Sequence, residues 1–208
     1  MPLIDVLINS NDFNAGSSIT DESIEKITSV IHDKNYLEFI KKINGGFFYN
    51  YSLHIYAVST SFEFHDIFKI NEIIKESFGK IIKNDFYFAQ EIFGNQFGYC
   101  DEGIVFLNIE SGERNIIARD FDEWMEILNK DLDYFTGRKL VESWNKFNNA
   151  MKPNERFCPK IPFVIGGKFE IENLFLQAFP KNILANANIA TQIYELPDGT
   201  PIKLKIIE

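Results

Sequence analysis

FYFAQEIFGNQFGYCDEGIVFLNIESGERNIIA, residues 86–118, decides the fold class. Within it Phe86–Ile92, Gln96–Cys100, Ile104–Ile109 and Asn115–Ala118 are short runs rich in aromatic and β-branched residues, which suit strands. The breaks between them are Gly94-Asn95, Asp101-Glu102-Gly103 and Glu110-Ser111-Gly112-Glu113. These residues take up turn backbone readily, and none of the breaks is long enough for a crossover helix. Consecutive strands must therefore pair antiparallel, as a meander.

Helical signals flank this region on both sides. Thr20 or Ser18 can cap a first helix in which Ile24, Ile27 and Ile31 recur on one face, with Asp21 and Glu22 at its positive end. Asp33 can cap a second, with Tyr36, Leu37, Ile40 and Ile43 inward and Asn44-Gly45-Gly46 ending it. Phe47–Ser59 reads as a strand, with Leu53, Ile55 and Ala57 alternating against His54 and Tyr56. A third helix is expected from about Lys69 to Phe78. After the meander, Asp120 caps a helix bearing Phe121, Trp124, Met125, Leu128, Leu132 and Phe135, with Glu123 placed for a capping box and Gly137 at its end. A further helix runs from Arg138 to about Ala150. The class is α+β, a central antiparallel sheet flanked by helices.

Residues 151–162 carry Pro153, Pro159 and Pro162, which disfavour helix and suggest an extended connector. A strand near Leu174–Phe179, a helix at about Ala185–Tyr194 and the turn Leu196-Pro197-Asp198-Gly199-Thr200 follow. Pro201–Ile207 then alternates Ile202, Leu204 and Ile206 against lysines. The expected organisation is a main unit over 1–150 and a small α+β appendage over 151–208 that packs on it.

Composition bounds the function. Hydrophobic residues make up 45% of the 208, with 21 phenylalanines, so collapse into a core is strongly driven. Cys100 and Cys158 form no ligand or disulfide framework. No basic leader and no apolar run of membrane-spanning length is present, which places the chain in the cytoplasm as an expectation. The net charge of −9 is uneven: residues 1–145 carry −11 and residues 146–208 carry +2. Such a surface repels nucleic acid and attracts basic partners, although solubility alone is also a sufficient reason for it.

No residue grouping asks for catalysis. His32, His54 and His65 show no metal-ligand spacing with each other or with cysteine, and no nucleophile elbow occurs. His54 reads as an ordinary exposed or hydrogen-bonded strand histidine. Gly166-Gly167-Lys168 fails as a phosphate loop, since Pro162 and Phe169 stand where glycine and a hydroxyl are required. The carboxylates Asp120, Asp122, Glu123 and Glu126 are explained by a helix start. Catalytic residues, cofactor and metal are all expected to be none, with His65-Asp66 left as the nearest thing to an alternative.

In order along the chain, Ile19-Thr20-Asp21-Glu22, then Tyr36–Gly46 ending in Asn44-Gly45-Gly46, then Phe88-Ala89 with Gly94-Asn95-Gln96-Phe97, then Ile117–Trp124, resemble the SUKH superfamily over roughly residues 19–135. The first 18 residues stand outside the resemblance as an N-terminal extension, and the tail looks like an extension found on some bacterial members. The resemblance implies an α+β fold and no catalytic residues. It implies an immunity protein that binds and neutralises a cognate, basic protein toxin, with a non-toxin regulatory scaffold as the alternative. No nucleic-acid or membrane partner is implied, and a monomer is favoured. Turn residues on a rigid sheet carry binding, so Tyr49, Tyr51, Asp101, Glu102, Glu110 and Glu113 are the expected toxin contacts.

Overall fold

The computed structural model describes residues 2–13, 18–197 and 199–205. Chain order is α1 (Leu3–Asn9), β1 (Asn11–Phe13), α2 (Asp21–Thr28), α3 (Lys34–Lys42), β2 (Gly46–Phe48), β3 (Leu53–Ile55) and α4 (Ile67–Phe78). The meander strands follow: β4 (Phe86–Glu91), β5 (Gln96–Cys100), β6 (Gly103–Leu107) and β7 (Arg114–Ala118). Helices α5 (Phe121–Lys130), α6 (Leu132–Thr136) and α7 (Arg138–Phe147) come next, then β8 (Glu155–Pro159), β9 (Leu174–Ala178) and α8 (Lys181–Ile193). Strands β1 to β7 form one antiparallel sheet in chain order, and β8 pairs with β9 in a second, two-stranded sheet.

The helices start where their caps dictate. Thr20 Oγ1 accepts from Ser23 N, Asp33 from Asn35 N and Tyr36 N, Asp66 from Phe68 N and Lys69 N, and Asp120 from Glu123 N. An apolar cluster unites Tyr36, Phe39 and Ile40 of α3, Phe88 and Phe97 of the sheet, and Phe121 and Trp124 of α5. Edge-to-face contacts knit it, as between Tyr36 and Phe88 at 5.4 Å and Phe88 and Trp124 at 5.1 Å. Helix α8 sends Ile183, Ala187 and Ala190 into the same cluster.

Several expectations change. The Phe47–Ser59 strand is a hairpin, β2 and β3, turned at Tyr49, Asn50 and Tyr51, each with a left-handed φ. Residues 2–13 join the main unit: β1 pairs with β2, Tyr49 N donates to Ser10 O, and Leu7 of α1 is buried. Helix α3 ends at Lys42 rather than at Asn44, because Ile43 is already extended. The helix expected through Phe135 breaks at Asp131, whose carboxylate caps α6. The expected connector contains β8, and α8 begins four residues before Ala185. Residues 201–205 form no strand, while Ile206 and Ile207, like Ser17 and Asp198, lie outside the described residues.

The Asn-Gly-Gly segment has a specific task. Asn44 Nδ2 donates to Val58 O at 2.9 Å and Asn44 Oδ1 accepts from Val58 N at 2.8 Å. Its amide thus pairs with the chain leaving β3 as a strand backbone would. Gly45 lies so close to the same segment that a Cβ would sit 2.7 Å from Ile55 O, and its φ of +69° is left-handed.

Candidate interaction surface

A polar row crosses the middle of the sheet. His54, Gln90 and Gln96 are direct cross-strand neighbours on β3, β4 and β5, so they share one face. Tyr56 Oη donates to Gln96 Oε1 at 2.6 Å. Gln90 Nε2 stands 3.0 Å from His54 Nδ1 and, being an amide nitrogen, donates to it. His54 therefore holds its proton on Nε2 and gives it to His65 Nδ1 at 2.7 Å. Phe47 stacks on His54 with ring centres 4.1 Å apart. Both histidines are fully buried, and burial holds both below the ordinary range, His65 at about 4. Of the two expectations for His54, exposed or hydrogen-bonded, the structure has the second, and the partner His65, eleven residues away, was not foreseen.

This row is interior and carries no open site. Arg156 of β8 is buried near it, with guanidinium protons given to Pro153 O and Glu155 O, and burial brings it down to about 10. Glu91 is also buried, accepting from Phe93 N and Asn95 N, and burial pushes it up to about 8. His65 faces His54, and the Asp66 carboxylate caps α4 and accepts from Thr60 N. No three His, Cys, Asp or Glu among the described residues are grouped to hold a metal ion.

Alternate turns of a meander lie at opposite ends of its sheet, and that divides the six residues singled out as contacts. Tyr49 and Tyr51 in the β2–β3 turn share an end with Glu110 and Glu113 in the β6–β7 turn. Asp101 and Glu102, between β5 and β6, sit at the other end. The first end is largely occupied. Glu110, expected on the surface, is buried, its Oε1 accepting from Val164 N at 2.7 Å. Phe93 of the neighbouring β4–β5 turn packs against Phe157, Phe163 and Phe169. Tyr49 and Tyr51 are half-buried, and Tyr51 N donates to Asp12. Glu113 remains exposed.

The second end is open. Asp101 and Glu102 are exposed and line a concavity of about 800 Å³ together with Asp33, Asp120, Asn35, Tyr99 and Arg119. Asn35 also lines an adjoining hollow of about 290 Å³ whose walls include Glu38, Asp122 and Glu126. Some of these carboxylates are structural: Asp33 accepts from Tyr99 Oη and Phe121 N, and Asp120 caps α5. Asp101, Glu102, Glu38 and Glu126 have no such duty. Asp122, which accepts from Asn35 Nδ2 at 2.6 Å, is held above its usual range by partial desolvation and by Asp120 and Asp33. Arg119 is turned to Glu123, at 2.9 Å. The field at this end is negative, suited to cationic side chains. Charge counting hinted at it, but sequence reasoning missed that Glu38, Asp122 and Glu126 line one hollow that meets the Asp101 concavity at Asn35, because they lie on other elements.

The arrangement defines an α+β protein with a filled interior and an open acidic end. The model of the SMI1 / KNR4 family (SUKH-1) matches residues 18–127, more than half the chain, and the chain belongs to that family. The chain is similar to the crystal structure of Atu4351 from Agrobacterium tumefaciens, with a TM-score of 0.59 and 16% identity over 86% of this chain and 84% of that one. At that identity the likeness is one of fold. No curated protein sequence matches. No helix among the described residues is long and apolar enough to cross a membrane.

Proposed function

We propose that this chain is an immunity protein: it binds a cognate toxin domain and blocks it by occlusion, without chemistry of its own. Family membership supports the class, and the acidic concavity around Asp101 and Glu102 supports the partner's character. Toxin domains that cleave nucleic acid carry basic faces to hold phosphates. An acidic end steers such a face and competes for it. The contacts are Asp101 and Glu102, with Glu38, Asp122 and Glu126 of the adjoining hollow, while Glu113, Tyr49 and Tyr51 lie at the far end and Glu110 serves the interior. The protein works in the cytoplasm, where the toxin would act. The second reading, a regulatory scaffold of the same family, predicts a partner with no toxic activity.

Co-expression tests this. The chain is produced with the C-terminal domain encoded by the adjacent upstream gene, and growth and complex formation are followed together. Rescue of growth with a stable complex is the expected result. Toxicity that persists despite full expression of this chain sinks the immunity reading for that pair. Capture of a non-toxic partner from the native cell would favour the scaffold.

A further inference from the structure

The β4–β5 turn, the β6–β7 turn, the β8–β9 hairpin and α8 meet at one seam and leave a hollow of about 70 Å³ between them. Phe93, Phe157, Phe163 and Phe169 line it, with Glu110 and Asn186 of α8. Phe163 and Phe169 stack with ring centres 3.8 Å apart, and Phe93 stands nearly perpendicular to both. Glu110 is the one charged side chain lining the hollow, and it is 5% exposed. Its Oε1 accepts from Val164 N at 2.7 Å. Among the described residues no lysine, arginine or histidine forms an ion pair with it. Burial accordingly holds its carboxyl above the usual range. A buried carboxylate without a cation is destabilising, and a cation brought to it offsets that loss. Asn186 gives Nδ2 to Asn182 O at 2.7 Å, which leaves its Oδ1 as a second acceptor. One turn earlier on the same face of α8, Asn182 Oδ1 is buried with no partner among the described residues.

We propose that this hollow binds the ammonium end of a primary alkylamine, with Glu110 as its counter-ion and the phenylalanine rings around its methylenes. Size sets the first limit. A water takes about 30 Å³ in the liquid, so the space admits roughly two or three heavy atoms, an ammonium and its first methylenes. The rest of the alkyl chain then lies over Phe169, which is 68% exposed. Chemistry sets the second limit. An ammonium offers three donors to carboxylate and amide oxygens, and its charge is drawn to aromatic rings. An anion would be repelled by Glu110, an alcohol would leave it without a counter-ion, and a quaternary ammonium has no N–H to give. A free amine and the side chain of a partner's lysine share this chemistry.

Amide proton–nitrogen NMR spectra of the full chain, titrated with n-butylammonium chloride at constant total chloride, test this. Saturable shifts are expected at the amides of Glu110, Val164 and Asn186, with a dissociation constant in the millimolar range because so few atoms make contact. The uncharged counterpart n-butanol should bind at least about tenfold more weakly. Glu110→Gln keeps an acceptor for Val164 N, removes the charge, and should weaken butylammonium by about tenfold. Phe169→Ala alters an exposed ring, leaves the fold intact, and should weaken it several-fold. The absence of saturable shifts in the unaltered chain overturns the proposal. Equal binding of the alcohol overturns it too, as does an affinity indifferent to Glu110→Gln. Nα-acetyl-lysine methylamide distinguishes the sources. Binding as tight as that of butylammonium assigns the hollow to a lysine of a partner protein, and binding of butylammonium alone assigns it to a free amine. None of these outcomes depends on the immunity reading.

Discussion

Gly45 shows how much one residue can decide. Its backbone is left-handed, and the chain leaving β3 leaves no room for a Cβ. Gly45→Ala should therefore cost roughly 3 kcal/mol or more, combining backbone strain with a clash that only a shift of β3 can relieve. Chemical denaturation measures it, and a loss of less than about 1 kcal/mol would contradict this account. The buried histidines act through pH. Both are held neutral in the fold, with values below the ordinary 6.5, so their contribution is complete above pH 6.5 and is lost as pH falls below it, for His65 through about 4. Glu91 has the opposite sign. Its value is raised from 4.5 to about 8, so its contribution is complete below pH 4.5 and is lost as pH rises through about 8. Two groups against one make stability climb to a maximum near pH 6.5 and then decline. His65→Asn retains an acceptor for His54 Nε2 and removes one titrating group. Between about pH 4.5 and 6.5 the rise of a melting-temperature profile should then flatten, because the remaining histidine and Glu91 offset one another, and an unchanged rise would show that His65 does not control it.

Among the elements, the hairpin of β8 and β9 is the one whose attachment is most open to test. It is held to the sheet by Phe157 N donating to Ile92 O at 2.9 Å, by the Glu110–Val164 bond, and by Phe93 seated among Phe157, Phe163 and Phe169. Its own small cluster of Ile92, Val141, Met151, Phe157 and Leu174 is separate from the main core. Phe93→Ala removes the ring shared by these contacts. The expected loss is roughly 2 kcal/mol, below that of a fully buried phenylalanine because Phe93 is half-buried. Local opening should exceed global unfolding, so hydrogen exchange at residues 155–178 should quicken while the β5–β6 amides stay protected. Equal acceleration in both places would mean that the hairpin and the sheet open as one unit.

At the scale of the whole molecule, charge is sorted by the meander. The Asp101–Glu102 end is open and acidic, and the opposite end is taken up by residues 151–178. Asp101→Lys with Glu102→Lys should weaken binding to a basic partner at low salt by at least about tenfold and flatten the salt dependence. The same exchange at Tyr49 and Tyr51 should not alter that salt dependence, since they lie at the far end. Titration calorimetry at two ionic strengths distinguishes the ends. An unaltered salt slope in the Asp101/Glu102 variant would remove this face as the contact.

The α+β class, the four-strand meander and the helix starts at Thr20, Asp33 and Asp120 were legible in the chain itself. Each depends on neighbours within a few residues: a capping oxygen, a turn dipeptide, an apolar period. The Asn44-Gly45-Gly46 motif was visible, but its partner Val58 was not. The same limit hid the His54–His65 bond, which joins a strand to a loop that returns to it. It also hid the burial of Glu110 under Val164, and the gathering of Glu38, Asp122 and Glu126 in a hollow that meets the Asp101 concavity at Asn35. Local sequence determined which elements form and where they begin. Only the tertiary structure decided which side chains meet and which sheet end stays open, because both depend on contacts between residues far apart in the chain.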